Sequence, residues 1–150
     1  MSFLTKIPPP AALAALVSGA AWLSGSVALL QSAPFRSPLL AAIMALAAVV
    51  LEIWGWWEFR RHRTTILPLR QPTSLLCAGP FRFTRNPLYL TMLLLAVAVW
   101  VGWGRLGLLL APLGFFIFVN WVIIPYEEAK LSLIFGDAYA DYCRRVRRWF

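Results

Sequence analysis

The sequence is poor in charged residues and in the side chains that bind metals. Charged residues make up 13% of the 150 positions, whereas 61% are hydrophobic. A soluble domain of this size is roughly half apolar, so the composition excludes an ordinary soluble domain and indicates an integral membrane protein. The two cysteines, Cys77 and Cys143, and the single histidine, His62, do not have the spacing of a metal site. We therefore predict neither a metal nor a disulfide, and we interpret His62 as a solvated residue near lipid headgroups.

Four apolar stretches are long enough to cross the hydrocarbon core of a bilayer, which takes roughly 20 helical residues. They cover residues 11–30, 38–57, 88–103 and 106–124. Spanning strands are excluded because an open sheet edge would leave backbone groups unpaired in lipid. The sequence therefore predicts an all-α polytopic membrane protein, a single domain over residues 1–150 with about four transmembrane helices. The link between the third and fourth stretches is so short that these two must form a tight hairpin.

The basic residues predict an orientation in the membrane. All of the 14 Lys and Arg residues except Arg36 and Arg105 lie near the N-terminus, in the loop 58–87, or in the segment 127–150. By the positive-inside rule these regions are cytoplasmic. We expect a bacterial inner-membrane protein with cytoplasmic termini, a cytoplasmic loop 58–87 and short cytoplasmic helices within residues 127–150. The net charge of +8 is then explained by anionic lipid headgroups, without nucleic-acid binding.

Polar side chains gather in three predicted cytoplasmic segments, at residues 64–86, 126–128 and 137–148. They flank the predicted hairpin and can converge in space. Pro87 suits the first turn of the third span, which places Arg85 and Asn86 at a helix N-terminus that favours a carboxylate or phosphate. A simpler interpretation is that Asn86 caps the helix and Arg85 reaches lipid phosphate.

The acidic residues are few, and two of them are adjacent. Glu127 and Glu128 follow the fourth span, and successive helical residues diverge by about 100°, so these carboxylates cannot have the same role. Helix initiation after Pro125 explains one of them. Glu52 is the acid inside a predicted span, where we expect it to reach the interface or pair with Arg60 or Arg61. Farther on, Asp137 is placed to cap a last amphipathic helix, whose arginines we assign to the leaflet surface.

Two motifs carry a family resemblance. GPFRFTRNPLY begins at Gly79, and EExxLxxxFGxxYxxY begins at Glu127, with a hydrophobic hairpin between them. Together they resemble the isoprenylcysteine carboxyl methyltransferase and phospholipid methyltransferase superfamily, over roughly residues 64–150. The resemblance implies a membrane-embedded enzyme that transfers a methyl group from S-adenosylmethionine, without a metal, to a membrane lipid or lipidated small molecule.

The resemblance also implies the site residues. It assigns catalytic roles to Arg85, Tyr89 and Glu128. It assigns cofactor binding to Thr73, Ser74, Leu75, Leu76, Phe81, Asn86, Pro87, Leu88, Tyr89, Glu127, Glu128 and Leu131. Tyr89 and the glutamates are the first candidates for a base, if the acceptor arrives protonated.

Three positions depart from the family pattern. Asn86 stands where many relatives have His, and an amide does not titrate near neutrality, so a histidine base is excluded there. Thr91 stands where Gly is common. Residues 122–125 replace an Arg that carboxyl methyltransferases place before the glutamates, which favours a lipid amine or other headgroup nucleophile as acceptor. A carboxylate or small-thiol acceptor, and a scaffold without turnover, remain the alternatives.

Overall fold

A computed structural model describes residues 7–31, 35–63 and 73–149, and every regular element within these ranges is helical. The described residues form six α-helices, three 3₁₀ turns at Ala28–Gln31, Gly79–Arg82 and Leu106–Leu109, and a π turn at Val119–Ile123. The α-helices are α1 (Pro9–Ser26), α2 (Pro38–Arg61), α3 (Pro87–Trp103), α4 (Leu110–Phe118), α5 (Ile124–Phe135) and α6 (Asp137–Arg145). The prediction of an all-helical fold is confirmed for these residues.

Local sequence signals set the ends of the helices. The Ser37 side chain accepts a hydrogen bond from the Leu40 N–H at 3.3 Å and caps α2, and Pro38 occupies the first turn. Pro87 begins α3 as predicted, and Gly104, with φ of 74°, ends it. Gly136 precedes α6 at the N-cap position, so Asp137 lies in the first turn and the prediction that it caps the helix is wrong.

The helices differ in length from the predicted spans. The first ends at Ser26, because Val27 is extended, and α2 continues to Arg61. The helical run that begins at Leu106 extends to Phe135, so Pro125 does not start a separate helix after a break. Proline has no N–H for the bond to the preceding turn, and the wider π turn directly before it lets the helix continue.

Within the part of the chain that the structure describes, two helical segments are long and apolar enough to cross a membrane: Pro38–Arg61 and Leu106–Phe135. The outer face of α2 also suits a lipid environment. Large apolar side chains recur on it every three or four residues, and each is more than half exposed: Leu39, Ile43, Leu46, Val50, Ile53 and Trp57. An exposed apolar stripe of this length is unfavourable in water, so these features support a membrane protein.

The helices pack in two main pairs. α2 lies along α3, and α1 packs against α4 and the Leu106–Leu109 turn. Gly55 of α2 allows a close approach, since an added Cβ would lie 2.9 Å from Cδ2 of Leu88. We call the helical run Leu106–Phe135 the fourth helical run. The most buried apolar cluster of the described residues lies along it, at Phe115, Val119, Ile123 and Ile124.

Gly79 holds the loop before α3 against the end of α2. Its φ is 58°, and an added Cβ would lie 2.6 Å from Cγ of Glu58. We expect Gly79→Ala to lower the thermal unfolding temperature in detergent, because the left-handed backbone alone costs about 1–2 kcal/mol for a residue with a Cβ. Gly19→Ala is the control, since Gly19 lies in α1 with no atom within 4 Å of an added Cβ. Equal melting temperatures for the two variants would contradict the assigned role of Gly79.

Candidate functional site

The start of α3 and the first half of α5 meet through two pairs of polar side chains. Tyr89 Oη donates a hydrogen bond to Glu127 Oε1 at 2.7 Å. Arg85 Nη1 lies 3.2 Å from Glu128 Oε1. We call these four residues the α3–α5 site. Tyr89 and Glu127 are 38 positions apart along the chain, and the fold brings them into direct contact.

Glu128 lies between two guanidinium groups. Arg148 approaches it with two N–H donors, Nη2 at 2.5 Å from Oε2 and Nε at 3.2 Å from Oε1. Arg85 contacts Oε1 of the same carboxylate. Glu127 and Glu128 therefore have different partners, as the helical divergence of adjacent residues predicts. With two cations for one anion, the group around Glu128 keeps a net positive charge.

The residues that follow α6 cross over the start of α3. We call residues 146–149 the strap. The Arg148 carbonyl accepts hydrogen bonds from Thr84 Oγ1 at 2.9 Å and from Asn86 Nδ2 at 3.0 Å. The Arg147 carbonyl accepts one from the Arg85 N–H at 3.0 Å. The Asn86 side chain therefore binds the strap and does not cap α3, so the simpler interpretation of Asn86 is wrong.

Arg85 is half-buried in polar surroundings. Burial opposes its charged form, but Glu128, Cys143 and Tyr139 outweigh that effect and raise the pKa of Arg85. Its Nη1 also donates to the Cys143 thiol. Among the residues that the structure describes, its buried Nε has no hydrogen-bond partner. This guanidinium is thus permanently charged, and its buried Nε–H is a donor without a partner among the described residues.

An apolar cluster formed by the loop before α3, by α5 and by the segment from α6 to Val146 lies beside the α3–α5 site. Tyr139, Tyr142 and Val146 are buried, with Leu75, Leu131, Phe135 and Cys143 packed around them. Tyr142 Oη donates to the Phe81 carbonyl at 2.7 Å, which attaches the loop before α3 to α6. Burial raises the pKa of Tyr139 and of Tyr142, so both hydroxyls are neutral at physiological pH.

Some residues assigned by the resemblance lie elsewhere. Thr73 Oγ1 donates to the Arg63 carbonyl at 3.2 Å, and Ser74 Oγ donates to the His62 carbonyl at 3.3 Å. Leu88 faces Gly55 of α2. Leu76, Phe81 and Pro87 are buried in the protein. The structure thus brings Arg85, Tyr89, Glu127 and Glu128 together, with Asn86 joined through the strap and Leu75 and Leu131 in the apolar cluster beside the site.

Two acids on α2 have partners that the sequence did not predict. Glu52 accepts a hydrogen bond from the Thr91 hydroxyl, so its predicted pairing with Arg60 or Arg61 is wrong. Thr91 is buried, and its Oγ1 also lies 2.7 Å from the Leu88 carbonyl oxygen, so its one hydroxyl proton faces two acceptors. The position that is often Gly in relatives thus carries a hydroxyl that links α3 to α2.

Glu58 is also buried, and it lies beside the glycine turn at Gly79. Its Oε2 is 3.4 Å from His62 Nδ1, so His62 is not merely solvated. Within the described ranges this oxygen accepts no hydrogen bond. The spacing of four residues between Glu58 and His62 is the signal that could have revealed the pair.

A groove of about 690 Å³ opens between α1, α2 and α3. Its walls are mainly apolar, with Leu13 and Val17 from α1, Val49 from α2 and Leu95 from α3. Glu52 and Thr91 provide polar atoms in the same walls. Its volume lies in the range of sites for small molecules.

Comparison with known proteins places the chain in a family. The profile of the phospholipid methyltransferase family matches residues 37–138, about two thirds of the chain. The chain therefore belongs to the phospholipid methyltransferase family, which confirms the resemblance seen in the sequence motifs. The chain is also similar to an uncharacterized protein of Haemophilus influenzae, with 45% identity over 65 residues that cover 41% of this chain and 98% of that protein. No solved structure matched.

Glu128→Ala should destabilise the protein. The substitution leaves Arg85 and Arg148 without their shared carboxylate, and hydrogen bonds to a charged group contribute about 1.5–3 kcal/mol each. We expect a lower thermal unfolding temperature in detergent for this variant.

Asp141→Ala is the matched control, because it removes an exposed ion pair with Arg144, and exposed pairs contribute about 0–1 kcal/mol. A Glu128→Ala protein as stable as the Asp141→Ala protein would show that the two guanidinium groups do not depend on Glu128.

Proposed function

We propose that this protein is a single-domain membrane methyltransferase that uses S-adenosylmethionine and methylates an amphiphilic acceptor. A lipid amine or another headgroup nucleophile is the proposed acceptor. The observation that carries the proposal is the direct contact of Arg85 and Tyr89 with the adjacent glutamates Glu128 and Glu127, in a chain of the phospholipid methyltransferase family.

The residues of the α3–α5 site fit the chemical groups of the cofactor. Arg85, with its unpaired Nε and the positive end of α3 beside it, suits the α-carboxylate. The Glu127 carboxylate suits the ammonium or the ribose hydroxyls. The apolar side chains of Leu75 and Leu131 suit the adenine. A donor for an anion, an acceptor for hydroxyls or a cation, and apolar surface thus lie within one small region.

The proposed reaction requires little covalent chemistry from the protein. When bound, S-adenosylmethionine supplies a methyl group on a sulfonium, whose sulfur departs as a neutral thioether. The acceptor nitrogen must present its lone pair, so its proton goes to water or to a nearby base. Glu127, reached directly or through the Tyr89 hydroxyl that donates to it, is the first candidate to hold that proton. Orientation of the two reactants in a dry site can supply several kcal/mol of the barrier reduction.

The structure around residues 122–125 favours an amine over a carboxylate as acceptor. Carboxyl methyltransferases of the superfamily place an Arg in this region. Here Ile123 and Ile124 are buried in the apolar cluster of the fourth helical run. An acceptor carboxylate would find no cation at these positions, whereas an amine needs none. The groove between α1, α2 and α3 can accommodate the apolar part of an acceptor.

The proposed membrane arrangement has four crossings, with α3 and the fourth helical run as a hairpin. α1 has 18 residues and α3 has 17, and at 1.5 Å per residue such helices are about 26 Å long, slightly short of a typical hydrocarbon core. Basic residues at the end of α2, in the strap and in α6 then share the cytoplasmic side. In a bacterial cell this arrangement places the α3–α5 site at the inner leaflet of the inner membrane.

Binding of S-adenosylhomocysteine tests the cofactor. We expect saturable binding to the detergent-solubilised protein by titration calorimetry, with a loss of about tenfold or more in affinity for Glu127→Ala or Glu128→Ala. Asp141→Ala should bind like wild type. Wild-type affinity in both glutamate variants, or no binding to the wild-type protein, would contradict the proposal.

Transfer of a radiolabelled methyl group tests the acceptor. With phosphatidylethanolamine, prenylcysteine and small-thiol acceptors offered side by side, we expect label in the lipid amine, in a product stable to base. A base-labile product would indicate a carboxyl ester, and label in the thiol would indicate a thiol methyltransferase. Cofactor binding without transfer to any of these or to a total lipid extract would indicate a scaffold.

A further inference from the structure

We infer that the strap, residues 146–149, forms part of the α3–α5 site, and that Arg148 is a positioning residue that acts through Glu128. This inference rests on the proposed function, because it assigns the strap a role in binding S-adenosylmethionine. The sequence pattern had placed these arginines at the lipid surface.

The backbone of the strap holds the residues that start α3. Carbonyl oxygens of Arg147 and Arg148 accept three hydrogen bonds from residues 84–86, at 2.9–3.0 Å. Two of the three donors are side chains, Thr84 Oγ1 and Asn86 Nδ2. An Asn at position 86 can donate to a carbonyl in this way without a change of protonation state, because its amide does not titrate near neutrality. The strap thus fixes the orientation of Asn86 and the path of the chain at Arg85.

The Arg148 side chain holds Glu128 in one orientation. A guanidinium that donates two N–H groups to one carboxylate fixes both the distance and the plane of that carboxylate. The nearest atoms of Arg85 and Glu128 are Nη1 and Oε1, 3.2 Å apart. Without Arg148, the Glu128 carboxylate would keep one cationic partner and could rotate away from it. A lysine at position 148 would retain the charge but not the paired donors.

The end of the strap is anchored in the fourth helical run. Trp149 Nε1 donates to Asn120 Oδ1 at 3.0 Å, and its ring lies 5.3 Å from the ring of Phe116. Asn120 belongs to the π turn, and π turns occur frequently at functional sites. The strap therefore connects the start of α3, the Glu128 carboxylate and the π turn.

The test measures S-adenosylhomocysteine affinity by titration calorimetry for Arg148→Gln, Arg148→Lys and the control Arg144→Gln. We expect affinity to fall about tenfold in Arg148→Gln and by a smaller factor in Arg148→Lys. Arg144→Gln should stay within about twofold of wild type, because its ion pair with Asp141 is exposed. Equal affinities for Arg148→Gln and Arg144→Gln would overturn the inference.

Circular dichroism and gel filtration establish that each variant is folded. If Arg148→Gln does not fold, the charge-retaining Arg148→Lys carries the comparison.

A double-mutant cycle separates positioning from general stabilisation. If Arg148 acts through Glu128, Arg148→Gln should have little further effect on affinity in a Glu128→Gln background. An undiminished loss of affinity in that background would show that Arg148 acts by another route and would overturn the inference. The wild-type titration separates failure of the proposed function from failure of this inference. If the wild-type protein does not bind S-adenosylhomocysteine, the proposed function is contradicted. If the wild-type protein binds and the Arg148 variants bind equally well, only the role assigned to the strap is contradicted.

Discussion

The arrangement of the site depends on one carboxylate shared by two cations. Glu128 bonds Arg85, which precedes α3, and Arg148, which lies in the strap. An acidic residue in a chain with only six of them is therefore used to join three segments. Because the side chains of this group are only partly exposed, solvent screens their attraction less than it would at the surface. The excess positive charge that remains beside the start of α3 is the feature that makes the site suitable for an anionic group of a ligand.

Glu127 and Glu128 have different partners and therefore different roles in the site. Glu127 accepts a hydrogen bond from a neutral tyrosine hydroxyl, whereas Glu128 is neutralised by guanidinium groups. Their different environments follow from adjacency on a helix, which points neighbouring side chains about 100° apart. One carboxylate can then orient Tyr89 while the other fixes the loop before α3. Tyr142 belongs to the apolar cluster beside these glutamates. Its neutral hydroxyl attaches that loop to α6 through the Phe81 carbonyl.

Sequence reasoning predicted the helices and the meeting of the two motifs, but not the partners that complete the site. Pro87 at the start of α3 follows from its fixed φ and missing donor, which are local properties. Hydrophobic runs also predicted the α2 helix well, although its end was set four residues too early. Arg148 was missed because clustered arginines after an amphipathic helix are typical of a membrane surface, and its bond to Glu128 is a tertiary contact with no helical spacing to reveal it. The Thr91 contact with Glu52 was missed for the same reason, since these residues lie on different helices.

The π turn at Val119–Ile123 determines the direction, about the helix axis, in which the side chains after it on the fourth helical run point. A π turn holds one residue more than the α turn it replaces. If the same five residues adopted regular α-helical geometry with none removed, each residue after them would be displaced by one helical position, a rotation of about 100° about the helix axis. Glu127 would then point away from Tyr89, and Glu128 away from both of its arginines. The alignment of the two glutamates with α3 thus depends on the π turn, which accommodates one extra residue within a membrane-length helix.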